Sequence, residues 1–460
     1  LTNIINTINT DRLLAKVSLR LLPFLLVLYI ISYLDRINLS FAALQMNADL
    51  HLSDEAYGIG SGIFFFGYCA FGIPSNLVIE RLGPRKWISV IMVAWGLVTV
   101  CMCLVRDQNT FFALRLILGV AEAGFFPGML LYLTYWFPPD KYGMAVARFM
   151  TAIPLAGVLG SLMAAKAFSL GGIGGLAGWK WLFIVTGLPA VLFGIAAFFF
   201  LADRPSQAKW LTTEEGLAIE ALTGKKAISP ASLVKADSAD VPSTAQGHAN
   251  KSAHSEASIA AAFKSSIVWR FAFLYFSMSV CMYGFQLWLP QIVQTFGHSS
   301  QSNTDSQTAL LSAIPALFQA LGMQAIAASS DRRCERRWHV VASSVITCVG
   351  LLSACLLADA WLKLAGLSLA AFGIWGTVGP FWALTRSCLR PKAQPAGIAF
   401  INSIGGLGGF FGPYLVGLVK HLVPSLLGHN SSFASALVLL SGAAVVTGIL
   451  AATSPVRRSD

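Results

Sequence analysis

Twelve apolar runs succeed one another along this chain, at roughly 21–45, 56–79, 87–105, 110–136, 143–168, 181–202, 269–296, 308–329, 338–357, 363–385, 394–419 and 433–453. A helix needs about 20 apolar residues to cross the hydrocarbon core of a bilayer, so each run is long enough to span it. Polar and basic residues collect between the runs. One interval, residues 204–268, is much longer than the rest and rich in Ser, Ala, Lys and Asp. The pattern predicts an all-α integral membrane protein whose twelve transmembrane helices form two pseudo-symmetric six-helix bundles, 1–203 and 269–460, joined by a linker over 204–268. In that linker Thr212 and Glu215 have capping-box spacing, with Trp210 and Leu211 just before them, which predicts a short surface helix within 206–226. Residues 228–258 have the composition of a disordered segment. The first run is too long for a signal-peptide core and carries charges, so it reads as the first span.

Composition agrees. The 460 residues are 56% hydrophobic and 12% charged, against about 25% charged in soluble domains. The net charge of +11 raises nucleic acid as a partner, but its distribution excludes that reading. Arg12, Lys16 and Arg20 precede the first span. Further bases follow spans two, four, eight, ten and twelve, and the alternate loops are poor in Lys and Arg. By the positive-inside rule both termini of this multi-pass protein are cytoplasmic. The eight cysteines are scattered, mostly within apolar runs, and read as free buried thiols. No Walker loop, metal-ligand cluster or nucleophile triad occurs, and no histidine falls at a span centre. The sequence therefore predicts no enzyme activity, no metal and no cofactor, with an ion gradient as the energy source.

Asp35 and Arg36 break the first run near its middle. A charge at the bilayer centre costs about 2.5–3.5 kcal/mol on insertion scales, so such residues usually face a protein interior or a water-filled path. The fourth span carries Arg115 and Glu122. Helical rise puts Asp35 and Arg115 at similar depth, with Glu122 about 10 Å further in on nearly the same face. Arg36 points about 100° away from Asp35 and needs a different partner. The expected pairs are Asp35 with Arg115 and Arg36 with Glu122, four charges summing to zero. Protonating Glu122 would free Arg36, whose planar fork suits a carboxylate. Tyr283 and Gln286 lie within one turn of each other on the seventh span, and Gln286 is placed to hydrogen-bond either a solute or a neighbouring helix. Gln319 and Gln324 on the eighth receive no assignment.

The two blocks repeat. Glu80-Arg81-Leu-Gly-Pro-Arg85-Lys86-Trp87 follows the second span, and Asp331-Arg332-Arg-Cys-Glu-Arg336-Arg337-Trp338 follows the eighth, at one constant offset. Internal symmetry around a midplane site is a property of secondary transporters. Glu80, Arg81, Arg85, Asp331, Arg332 and Arg336 are expected to form ion pairs that gate the cytoplasmic side. Gly119, Gly157, Gly160, Gly408 and Gly412 read as close-packing positions.

The Glu80–Lys86 loop resembles the signature of the major facilitator superfamily, and Arg115-x-x-x-Gly119 resembles another of its motifs. "YLDRINLSFA", "PSNLVIERLGPRKWI", "GVAEAGFFPG", "LADRPSQAKWLTTEE", "YGFQLWLPQIV" and "GIAFINSIGGLGGFFGPYLVG" together resemble the bacterial and fungal branch of its anion:cation symporter family. The resemblance covers nearly the whole chain except the linker. It implies proton-driven uptake of small organic anions such as tartrate, aldonates, aldarates or phthalate. It further implies that Asp35 and Glu122 carry protons, that Arg36 contacts substrate, and that Tyr68, Trp382 and Asn402 lie at substrate-contacting positions. The chain departs from the family at Gln286, where Ser is common, and after Trp382, where Thr385-Arg386 replaces Pro-Thr. Substrate identity is thereby left open.

The expected function is import of a small carboxylate by proton symport through a monomer in the lipid bilayer. A hydroxy-dicarboxylate or sugar acid is favoured, with an aromatic acid close behind. The alternatives are a uniporter or efflux antiporter for amphipathic compounds, and a membrane receptor that binds an organic acid without moving it.

Overall fold

The computed structural model describes residues 9–224, 265–296, 304–389, 394–427 and 433–455. Among these, eleven helices are long and apolar enough to cross a membrane. In chain order with the helix Asp54–Leu82, they are α1 Thr10–Asp49, α2 Asp54–Leu82, α3 Pro84–Leu104, α4 Gln108–Trp136, α5 Pro139–Ser169, α6 Gly178–Phe200, α7 Ser266–Gln294, α8 Asp305–Arg332, α9 Arg337–Leu356, α10 Ala360–Cys388, α11 Gln394–Leu427 and α12 Ala434–Ala452. Each of the twelve predicted runs falls on one of these helices. Starts are set by ordinary caps: Asn9, Ser53 and Asp107 accept backbone N–H groups of the first turns of α1, α2 and α4.

Four of the spans are interrupted, which hydropathy alone does not reveal. The breaks fall at Gly124 in α4, Thr151 in α5, Ser312 in α8 and Thr377 in α10. Each lies three residues ahead of a proline (Pro127, Pro154, Pro315 and Pro380). Proline has no N–H and its ring crowds the preceding turn, which weakens the ladder there, although α1, α2, α6 and α7 run unbroken past Pro23, Pro74, Pro189 and Pro290. In α4 the break is complete: Gln108–Glu122 and Phe125–Trp136 are separate helices. Gly124 adopts φ 89°, and a Cβ on it would lie 1.8 Å from Ser75 Oγ. Only glycine fits there. Glu122 is thus the last residue of a helical segment that the sequence had read as continuous.

Helices α1 to α6 pack around α1, which touches α5 and α6, while α2 lies on α4 and α3 on α6. The predicted close-packing glycines do meet neighbours. A Cβ on Gly119 would lie 2.0 Å from Phe64 O of α2, and one on Gly412 would lie 2.5 Å from Val280 O of α7. Helices α2 and α11 pack closely, as do α5 and α8, and α1 and α7. At the end of the bundle away from the termini these contacts become polar. Lys420 Nζ of α11 meets Asp54 Oδ1 of α2 at 2.7 Å. Asp305 of α8 accepts from Gln45 of α1 at 2.8 Å and from Gln294 of α7 at 3.1 Å. Tyr57 of α2 donates to Leu287 O of α7 at 2.7 Å.

The predicted surface helix is present as Thr213–Leu222, with Thr212 and Glu215 forming both bonds of its capping box. Lys16 of α1 donates to Glu215 at 2.7 Å, and Trp210 stacks on Trp136 with ring centroids 5.7 Å apart. The segment expected to be disordered lies outside the described residues.

Candidate functional site

The membrane-embedded charges sit within α1 and α4, and all but Arg36 are fully buried: Asp35, Arg115 and Glu122 are each 1% exposed. Arg36 Nη2 meets Glu122 Oε1 at 2.5 Å. Ser32, one turn before Arg36, donates to the same oxygen at 3.0 Å. The guanidinium of Arg36 also lies over the Tyr68 ring at 5.1 Å and near Phe64 at 5.7 Å. Its Nε has no hydrogen-bond partner. Burying a charge is tolerable only when it is paired, and Glu122 supplies that pairing here.

The other expected pair, Asp35 with Arg115, does not form. Asp35 Oδ2 accepts from Thr99 of α3 at 2.6 Å, and Oδ1 accepts from Asn38 at 2.9 Å. Asn38 also donates to Thr186 of α6 at 2.9 Å. Arg115 turns instead to α2. Its Nε and Nη2 donate to the carbonyls of Gly60 at 3.2 Å and Ser61 at 3.3 Å, and its guanidinium lies 5.0 Å from the Phe64 ring centre. The reason is azimuth, not depth. Arg36 occupies the face of α1 towards α4, and Asp35, about 100° around the helix, is left facing α3 and α6.

A cavity opens beside the Arg36–Glu122 pair. It is lined by Arg36, Phe64, Phe65, Arg115, Tyr283, Gln286 and Leu287. Residues from α1, α2 and α4 therefore meet residues of α7 around one small space. Tyr283 packs edge-on to Phe65, 4.4 Å between ring centres. Gln286 reaches across to Tyr33 of α1 at 3.1 Å.

The remaining predicted positions are not in this cavity. Trp382 is half-buried against Tyr275, 5.1 Å between ring centres. Asn402 is exposed on α11. Gln319 is 6% exposed and its Nε2 has no partner, whereas Gln324 is exposed. Among the loop residues, Arg336 pairs with Asp331 at 2.9 Å. Arg85 donates through Nε to Phe198 O at 2.5 Å, and its backbone N–H donates to Asp203. Arg81 and Arg332 are exposed. The side chain of Glu80 lies outside the described residues.

Ser32, Tyr33, Asn38, Thr99 and Thr186 belong to the site and were not singled out from sequence. Ser32 and Asn38 had a usable signal, lying four residues before Arg36 and three after Asp35. Thr99 and Thr186 had none, being single hydroxyls in apolar runs of distant helices.

Comparison with known proteins accords with this geometry. A model of the Major Facilitator Superfamily matches residues 25–413. A protein of Agrobacterium vitis named "Putative tartrate transporter" is 40% identical over 444 residues, 96% of this chain and 96% of its own. The "Quinolone resistance transporter" of Acinetobacter baumannii is 37% identical over 404 residues, covering 88% of this chain and 87% of that one. Among solved structures, a bacterial homologue of the lysosomal transporter Spinster superposes with TM-score 0.71 at 16% identity, over 96% of both chains. The chain is accordingly a multi-pass membrane transporter, not an enzyme, and belongs to the Major Facilitator Superfamily.

Proposed function

We propose that this protein imports a small organic carboxylate together with protons, by alternating access, across a bacterial inner membrane with both termini in the cytoplasm. The observation that carries the reading is Arg36: a membrane-embedded guanidinium on a cavity, held by Glu122 at 2.5 Å, with its Nε unpartnered. A substrate carboxylate is a natural bidentate acceptor for that fork. Protonation of Glu122 removes its charge and releases Arg36 to the substrate, which ties proton uptake to anion binding. Asp35, held apart by Thr99 and Asn38, is a second buried carboxylate available to a proton. Arg115 also lines the cavity, and a dicarboxylate that drew it away from the Gly60 and Ser61 carbonyls would meet a second guanidinium group. Tyr283 and Gln286 offer neutral donors to its hydroxyls. A tartrate-like hydroxy-dicarboxylate is therefore the favoured substrate, in line with the relative named for tartrate.

Under this reading the polar contacts at the end away from the termini close the outer side. The two six-helix blocks rock about the Arg36 cavity, and the basic loops after α2 and α8 act at the inner gate.

The test is uptake of labelled tartrate into sealed proteoliposomes. An inward proton gradient should drive accumulation, and a protonophore should abolish it. Accumulation indifferent to the gradient would reject symport. The phenylalanine-rich wall of the cavity, Phe64 and Phe65, and the quinolone-resistance relative favour a second reading, export of amphipathic compounds. In cells, collapsing the gradient would then raise rather than lower the content of a fluorescent quinolone.

A further inference from the structure

Tyr33 plays no part in the reading above, yet it ties α1 to the far block. It is 4% exposed. Its hydroxyl lies 3.1 Å from both Oε1 and Nε2 of Gln286 on α7, and its ring lies edge-on to Trp375 of α10, 6.2 Å between centres. Gln286 lines the cavity with Arg36. Tyr33 and Arg36 are three residues apart on α1, so they project from neighbouring positions on one face. The amide that a carboxylate on Arg36 would use as its next donor is thus already engaged by Tyr33.

We propose that the Tyr33–Gln286 hydrogen bond is an occupancy-sensitive interlock. It rests on the reading of the Arg36 cavity as the carboxylate site. In the empty site Tyr33 holds the Gln286 amide and so fastens α1 to α7. A carboxylate seated on Arg36 competes for that amide. When it succeeds, Gln286 turns to the substrate, Tyr33 loses its partner, and the link between α1 and α7 weakens. Binding energy is thereby spent on loosening the contact between the two blocks. Tyr33 in this scheme is a positioning residue that never touches the substrate.

The arrangement makes a prediction of sign. A site whose binding-competent state is partly withheld has a lowered apparent affinity, and removing the restraint restores it. Tyr33→Phe keeps the ring and its packing but frees the Gln286 amide. It should tighten tartrate binding about two- to tenfold, the worth of one hydrogen bond. Gln286→Ala should weaken binding, and the double variant should behave like Gln286→Ala alone. The measurement is isothermal titration of the purified full-length protein with tartrate. Tyr33→Phe that weakens binding would make Tyr33 a direct substrate contact, and one that changes nothing would make it packing; either result overturns the interlock. Failure of the carboxylate reading shows differently: wild-type protein would take up no heat with tartrate. A second readout needs no ligand. Tyr33→Phe should increase proteolytic or hydrogen-exchange opening between α1 and α7 in the empty protein, and unchanged exchange would overturn the proposal.

Discussion

Arg36 and Glu122 meet at 2.5 Å across the α1–α4 contact, while Asp35, the residue adjacent to Arg36, shares none of that contact. Two neighbouring charges thus belong to two separate environments. Arg36 faces the cavity, and Asp35 accepts from Thr99 and from Asn38, which also donates to Thr186, inside its own block.

Glu122→Gln should abolish uphill uptake driven by a proton gradient while retaining counterflow of preloaded substrate. The amide keeps the shape of the side chain and still accepts from Ser32, but it holds no exchangeable carboxyl proton. Proteoliposomes loaded for counterflow and then energised with a pH gradient separate the two activities. Full uphill transport by the variant would remove Glu122 from the proton path.

Arg36→Lys should lose about tenfold or more in affinity for tartrate, since an ammonium cannot reproduce the bidentate fork or the planar stacking over Tyr68. Titration calorimetry reads this directly. Wild-type affinity would reject the carboxylate contact.

Thr99→Val should destabilise the protein by about 1–3 kcal/mol, because it leaves a buried carboxylate oxygen of Asp35 without its donor. Thr99→Ser keeps a hydroxyl and should recover most of the loss. Thermal unfolding in detergent compares the two, and equal midpoints for Val and Ser would show that the hydroxyl is dispensable.

Lys420 and Asp54 join α11 to α2 at the end away from the termini, and Lys420 also lies over Phe433 at 4.4 Å. This pair should have to separate in each cycle. With Asp54→Cys and Lys420→Cys in a background lacking the eight native cysteines, a short bis-maleimide should block transport, whereas either single cysteine should leave it sensitive only to bulk labelling. Unimpaired transport by the cross-linked protein would show that this seam stays shut throughout.

Glu215 accepts from Lys16 and from the backbone N–H of Thr212, and these donors hold its carboxyl below its ordinary value of 4.5. A lowered value in the folded state means that the contribution is complete above the ordinary value and is lost as pH falls through the lowered one. The surface helix Thr213–Leu222 should therefore stay docked at neutral pH and loosen only in acid below the usual carboxylate range. Hydrogen exchange over these residues checks it. Lys16→Met should bring the loosening to higher pH.

The spans were legible because a bilayer imposes a long, one-dimensional requirement, about 20 apolar residues per crossing, that hydropathy reads directly. The capping box at Thr212 and Glu215 was equally legible, since both partners lie within four residues. The embedded charges announced themselves by their cost, and the 100° step between adjacent helical residues gave Arg36 a partner other than that of Asp35.

Azimuth was beyond the sequence. Depth along a helix follows from counting residues, but which neighbour a side chain faces depends on how helices rotate and pack against one another. That is why Asp35 was matched to Arg115 by depth and is found with Thr99 and Asn38, and why the role of Tyr33 became visible only beside Gln286, 253 residues away. The break after Glu122 was likewise decided in three dimensions, where Gly124 must pass Ser75 at a separation that admits no side chain. The sequence by itself determined that this chain spans a membrane many times and buries charge within it. Only the tertiary structure decided which charges share a cavity, because that is a property of contacts between helices distant in the chain.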